Sequence, residues 1–410
     1  MSSFPITTVR SRDARFPLAP GEGSDSVHSN PVYSYAVAEI AGDGPQVGIG
    51  LAFTLGGGND LVCRAIEMLA EPLIGRDIEE VMAEHGSVQR ALSDHPQLRW
   101  LGPHKGVVHL ALAALTNGLF DLWAKSRGVP LWRLLLDLSP SEVVALLDMH
   151  YLEDVLSAKE AVAMLEAARP GRPDRESILK SGYPGYDTSV GWFQFSDDEI
   201  RERTKRAVGQ GFTALKLKVG SREGDRDLRR AAIVREAAGP DVRLMVDANQ
   251  AWTLPEALRM SLALAPIEPY WIEEPTHPDD VLAHQTLARA IAPIPIALGE
   301  HVPNRVLFKN FIQAGAMRYV QADCVRLAGV SEFLVVSLLA RKHGLPVVPH
   351  VGDMGQIHQH LVLFNRVALG DEIVFLEQIP HLCRHFVHPA TVSGGVYAVP
   401  QEPGSSSDLV

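Results

Sequence analysis

Ala214-Leu215-Lys216-Leu217-Lys218-Val219 opens a series of short, apolar, β-rich segments that decides the fold. Segments 243–248, 270–274, 295–299, 319–325, 346–349 and 373–376 follow it at near-constant spacing. Helical patterns lie between them. Two begin with capping boxes, Ser196-x-x-Glu199 and Thr253-x-x-Glu256, the second with Pro255 in its first turn. The helix before Pro346 closes on Lys342-His343-Gly344, a basic last turn ended by glycine. Strand, helix and strand at a regular interval mean repeated βαβ units and a parallel sheet. A further strand placed near 144–150 brings the number to eight, which closes a barrel. A doubly wound sheet is the alternative, but Gly48-Ile49-Gly50 lacks the third glycine of a dinucleotide fingerprint.

Outward from this core, the first 140 residues read as α+β. A strand at 35–40 precedes glycine-rich turns at 42–50 and the loop Gly56-Gly57-Gly58-Asn59; amphipathic helices follow at 60–73 and 106–125. Residues 18–31, rich in Pro, Gly and Ser, read as a mobile loop. After residue 380 no further βα unit follows, and the chain is expected to run back to the N-terminal region. The expected fold is therefore α/β, a (β/α)8 TIM-like barrel over 141–380. An N-terminal α+β domain over 1–140 is completed by the segment 381–410. At 410 residues the chain is long enough for both.

Composition narrows the function. Apolar residues make up 46% and charged residues 21%, as in an ordinary globular enzyme. Lys and Arg number 38 against 49 Asp and Glu, a net −11, with no basic run; this speaks against nucleic acid and anionic membrane surfaces. Three cysteines without a CxxC pair read as free thiols in a reducing compartment. Met1-Ser2-Ser3-Phe4-Pro5 carries no signal-peptide core, and the longest apolar run, 107–115, is too short to cross a bilayer. A cytoplasmic protein is expected, a homo-oligomer acting on a small molecule.

Polar residues recur at the C-terminal ends of the strands: Lys216 and Lys218, then Asp247, Glu273, Glu300, Asp323, His350 and Glu377. From Asp247 the steps are 26, 27, 23, 27 and 27 residues, one βα unit each. In this fold that rim is where active sites form. Asp247, Glu273 and Glu300 offer only oxygen and would repel one another unless a cation sat between them; few, all-oxygen ligands suit Mg²⁺. With a side-chain period of two, Lys216 and Lys218 share the lumen face, and two adjacent ammonium groups near a metal are expected to depress each other's pKa. Asp323 can fix the tautomer of His350 and aim its other nitrogen at substrate.

Lys216-Leu217-Lys218-Val219-Gly220, Val246-Asp247-Ala248-Asn249-Gln250, Trp271-Ile272-Glu273-Glu274-Pro275 and Gly299-Glu300-His301 resemble the enolase superfamily, mandelate racemase subgroup. Within it they are similar to the L-fuconate and L-galactonate dehydratases. The likeness extends to 97–103, 182–192, Pro278-Asp279-Asp280 and Asn304-Arg305. It implies a capping domain over the barrel, Mg²⁺, and dehydration of a six-carbon aldonate to its 2-keto-3-deoxy acid. It implies Asp247, Glu273 and Glu300 as metal ligands and Lys218 as the base that takes the α-proton. Lys216 would help neutralise the substrate carboxylate, and His350 with Asp323 would protonate the departing hydroxyl. Glu377 would support the enolate oxygen and Asn249 would contact substrate. An α-proton beside a carboxylate is too weakly acidic for a lysine unless the developing charge is stabilised, which a metal and opposed donors accomplish.

The chain departs from that pattern after His350, where Val351-Gly352-Asp353-Met354-Gly355 replaces a run of small residues. Asp353 either faces substrate, where it would repel a second carboxylate, or is held by a cation of the cap. The loops 18–31 and 183–195 are expected to set specificity. Racemisation or epimerisation on the same residues is the rival chemistry, and a catalytically silent binding barrel the rival class. His381, Cys383, His385 and His388 fit no common zinc spacing.

Overall fold

The computed structural model describes residues 4–102, 104–372 and 374–410. Met1, Ser2 and Ser3, Pro103 of the 97–103 motif, and Ile373 at the start of the expected eighth strand lie outside the described residues.

Strands β1 (Ile6–Pro17), β2 (Val32–Gly42) and β3 (Val47–Thr54) form an antiparallel sheet in the order β1-β2-β3. The 42–50 stretch is thus half strand, not a set of turns. The reason lies in packing: a Cβ on Gly50 would stand 1.8 Å from the carbonyl oxygen of Ala114, so the helix Val107–Ser126 rests directly on β3. This 20-residue helix is long and apolar enough to cross a membrane by composition, but 89% of its most apolar stretch is buried inside the protein. It is a core helix, and the apolar run 107–115 is its first half.

β4 (Tyr183–Gly191), β5 (Ala214–Lys218), β6 (Arg243–Asp247), β7 (Ile272–Glu273), β8 (Ile296–Leu298), β9 (Tyr319–Val320) and β10 (Leu376–Gln378) pair in parallel, in the order β10-β4-β5-β6-β7-β8-β9. The 346–349 segment contributes only a bridge, Val320 to Val347. Its continuation closes on β10 through Gly352, where a Cβ would lie 1.6 Å from the Glu377 carbonyl oxygen. The result is a (β/α)8-like barrel capped by the N-terminal sheet and helix. Phe53 N–H donates to the Val325 carbonyl, and Thr116 and Asn117 donate to the carbonyls of Ala328 and Cys324, fixing the cap to the barrel rim.

The first barrel strand corrects the sequence reading. Residues 144–150 hold no strand; Pro140–Ala145 is a helix, started by a Ser139–Glu142 capping box that outweighs the β preference of Val143 and Val144. The strand is instead β4. The C-terminal segment does return to the N-terminal region: Leu131 N–H donates to the Gly404 carbonyl, Ser405 N–H to Asp121, and Lys125 pairs with Asp408.

Alternation along β5 sends Leu215 and Leu217 outward into the helix layer and Ala214, Lys216 and Lys218 into the lumen. Below the lysines the lumen is filled by Tyr186, Met245, Trp271, Tyr319, Val348 and Phe375. The polar groups are thereby confined to the upper mouth.

Candidate active site

The rim backbone is strained where the site forms. Asn249, Gln250 and Glu274 hold left-handed φ angles of 43°, 60° and 40° directly after β6 and β7. Gly220, at φ 102°, ends the lysine motif because a Cβ there would meet the Ala248 oxygen at 2.8 Å and Ser26 of the cap at 2.9 Å.

Asp247, Glu273 and Glu300 each present an oxygen within 4.8 Å of the others, and all three are buried. Lys216 Nζ lies 2.7 Å from both Glu273 Oε1 and Glu377 Oε1, and Lys218 Nζ lies 2.5 Å from Asp247 Oδ2. Trp271 Nε1–H donates to Glu273 Oε2 at 2.9 Å, and Thr188 donates to Glu377 at 2.6 Å. His350 Nδ1 is 2.9 Å from Asp323, while its Nε2 is 3.1 Å from Glu300 Oε2. Arg326 donates to Glu300 Oε1 at 2.9 Å.

This trio fits a hard divalent cation. Burial, reinforced by Asp247 and Glu377 and opposed by Lys216, pushes the Glu273 carboxyl up, so its ionised form lacks sufficient positive charge nearby. Glu300 Oε2 is buried with no aligned hydrogen bond. A second grouping, Glu274, Glu300 and His301, is as compact. It is the poorer cage: burial opposes the charge on His301, but Glu274 overrides it and raises the imidazole to about 9, leaving it protonated and without a free lone pair.

The expectation that the two lysines depress each other is corrected. Burial does disfavour the charge on Lys218, but Asp247 outweighs it and the pKa is raised; Lys216 is raised too, by Glu273 and Glu377 against the same burial. Each ammonium stands against a carboxylate, which decides the sign. His350 is likewise raised: burial lowers it, and Glu300 and Asp323 prevail. Glu377 falls to about 2, because Lys216 and His350 outweigh the cost of burial.

Lys218, Asn249, Glu300, His350 and Glu377 line one cavity of about 720 Å³ at the barrel mouth. Asn249 N–H donates to Asp247 Oδ1 at 2.9 Å, while its own Oδ1 is buried without a hydrogen bond. Of the 18–31 loop, Asp25 and His28 reach this cavity, as does Trp192, 5.9 Å from Lys218 Nζ; residues 183–191 are strand rather than loop. Arg326, Asp25 and His28 were not singled out from sequence. Arg326 stands three residues after Asp323, a spacing that only the observed turn makes meaningful.

Asp353 does not line the cavity, which corrects both alternatives raised for it. Its carboxylate, 1% exposed, accepts Ile379 N–H at 2.6 Å and lies 3.5 Å from Cys383 Sγ, with neither cavity space nor, among the described residues, a cation beside it. Val351, left-handed at φ 57°, and the tight turn Gly352–Met354 rotate it away from the mouth. Among the described residues, His381, Cys383, His385 and His388 form no converging ligand set.

Barrel, cap and rim carboxylates together define a class. Residues 6–135 match the mandelate racemase / muconate lactonizing enzyme N-terminal domain, and residues 199–409 match the enolase C-terminal domain-like family. The chain belongs to the enolase superfamily, in the mandelate racemase / muconate lactonizing class. It is 40% identical to human mitochondrial enolase superfamily member 1, over 98% of this chain and 93% of that protein. The crystal structure of the human protein superposes with a TM-score of 0.96, at 39% identity, covering 100% of this chain and 95% of that one. L-galactonate dehydratase of Hypocrea jecorina is also 40% identical, over 100% of this chain and 93% of its own length. The structure of L-talarate/galactarate dehydratase from Salmonella typhimurium, liganded with Mg and L-lyxarohydroxamate, has a TM-score of 0.79 at 25% identity, covering 100% and 92%. Superfamily residues and dehydratase relatives together support a lyase-type activity.

The cytoplasmic expectation is overturned by these relatives. Those from human, Pongo abelii, Xenopus laevis and Bos taurus are all named mitochondrial. A missing secretory core does not separate cytosol from mitochondrion, since matrix-directing segments are amphipathic.

Proposed function

We propose that the protein is a Mg²⁺-dependent dehydratase of acid sugars, with L-fuconate or a related six-carbon aldonate as substrate. The observation that carries this reading is that Lys218 and His350, the latter held by Asp323 behind it, line the same cavity as Glu300 and Glu377. A base and an acid facing one small space can remove a proton from one carbon and assist departure of a hydroxyl from the next.

Asp247, Glu273 and Glu300 would hold the cation, which when bound stabilises negative charge developing on the substrate carboxylate. Lys218 Nζ takes the α-proton; this needs its free-amine form, which Asp247 disfavours while the two are paired and which a cation held on Asp247 would restore. Lys216, fixed between Glu273 and Glu377, adds positive charge beneath the carboxylate. His350, whose protonated form Glu300 and Asp323 favour, gives its Nε2 proton to the 3-hydroxyl as the C–O bond breaks. Loss of water leaves an enol that becomes the 2-keto-3-deoxy acid. Asn249, with its unpartnered Oδ1, accepts from a substrate hydroxyl.

The test is a panel of acid sugars incubated with protein and Mg²⁺, scored for 2-keto-3-deoxy acid. A six-carbon aldonate is expected to give the highest kcat/KM. Turnover only by α-epimerisation, with no keto acid from any member, would overturn the reading.

A further inference from the structure

A second cavity, of about 630 Å³, lies between β4, β10, the helix Asp197–Gly209 and the hairpin of β11 (Val392–Ser393) and β12 (Val396–Tyr397). It belongs to the layer where barrel strands meet helices, a layer that is aliphatic elsewhere: Leu215, Leu217, Leu244 and Val246 occupy it on β5 and β6. On β4 that rule fails. Tyr186 and Thr188 face the lumen, since Tyr186 lies under Lys216 and Thr188 donates to Glu377. By alternation Asp187 and Ser189 therefore point outward. Gln378, in register with Asp187, shares that outward side.

Across from them, Arg203, Arg206 and Gln210 follow one another at helical spacing and present one polar face. Asp187 is 6% exposed and is hydrogen-bonded by Ser189 of its own strand, through the N–H at 2.7 Å and through the side chain. Arg206 makes no ion pair among the described residues, whereas Arg203 donates to Glu22 at 2.9 Å and stacks on Phe195. Of these groups Asp187 is buried, Ser189, Arg203 and Gln378 are half-buried, and Arg206 and Gln210 are exposed, so the cavity opens to solvent on its helix side.

We propose that this cavity is a second binding site, for a small hydroxycarboxylate, with the carboxylate on Arg206 and Arg203 and the hydroxyls on Asp187, Ser189, Gln210 and Gln378. The lining selects this class. A phosphate dianion would set a larger negative charge against Asp187 and Glu22, and a neutral polyol would leave Arg206 unmatched. Occupancy also acts on the catalytic cavity. Glu22 sits between Gly21 and Gly23, at φ 81° and 70°, in the loop whose Asp25 and His28 line the barrel mouth. Glu22 pins that loop to Arg203 and lies 3.2 Å from His381. A bound carboxylate competes with Glu22 for Arg203 and loosens the loop. The site stands apart from the activity proposed above and would exist if no acid sugar were turned over.

Hydrogen–deuterium exchange tests it, with D-gluconate as probe and sulfate and xylitol as single-feature controls. Gluconate is expected to slow exchange at 187–189, 203–212 and 392–395 and to speed it at 18–31; sulfate and xylitol do so weakly. In Arg206→Gln, an exposed position, gluconate should bind this cavity roughly tenfold more weakly, the loss of one charge-assisted contact. Lys218→Ala should leave the second-cavity pattern intact. Protection confined to the barrel mouth, equal protection by sulfate or xylitol, or a response unchanged in Arg206→Gln would each overturn the site. Protection there with no change at 18–31 would overturn the coupling.

Discussion

His350 stands between two carboxylates, Nδ1 2.9 Å from Asp323 and Nε2 3.1 Å from Glu300. Burial alone would favour a neutral imidazole; the two acids reverse that and raise its pKa. A general acid must be protonated to act, so its activity persists up to its pKa and falls above it.

Asp323→Asn removes one of the raising charges. The alkaline limb of the kcat profile should move to lower pH, with KM little changed. A profile that keeps its position while the rate falls uniformly would mean that Asp323 only holds the ring in place.

Glu273→Gln replaces a carboxylate of the triad by a neutral amide of the same shape. Mg²⁺ should stabilise the wild type against heat and fail to stabilise the variant, because ligands that bind only the folded state raise Tm. Turnover should fall on the order of a hundredfold or more. An equal thermal shift in both proteins would remove Glu273 from the metal site.

Asp353 supplies a pH signature distinct from catalysis. Burial drives its carboxyl up to about 7 from 3.8, against the pull of the Ile379 N–H. Because the folded value is the higher, its contribution to stability is complete below about 3.8 and is lost as pH rises to about 7. Asp353→Asn still offers an oxygen to Ile379. It should match the wild type near the low end of that window and exceed it above, by on the order of a few kcal/mol. Parallel stability curves across the window would contradict this.

The barrel, its cap and the gathering of polar residues at the strand ends were legible in the sequence, while particular elements were not, for identifiable reasons. Lys216, Asp247, Glu273 and Glu300 were legible because strand-end polar residues recur once per βα unit, and a local pattern suffices to find them. β4 was not: Pro184, Gly185 and Gly191 dilute its strand character, and its identity rests on pairing with β10 and β5, which lie far off in sequence. Asp353 was misplaced because three residues of spacing from His350 say nothing about the left-handed turn at Val351. Arg326 and Glu22 acquire meaning only through partners on other elements, Glu300 for one and Arg203 for the other.

The division of labour between Lys218 and His350 is tested most directly by following two processes at once in D2O: α-hydrogen exchange and loss of water from the best aldonate. Lys218→Ala should abolish both. His350→Asn should still exchange the α-hydrogen while eliminating no water, since the proton can leave and return without a general acid. Equal loss of exchange and elimination in both variants would contradict the account.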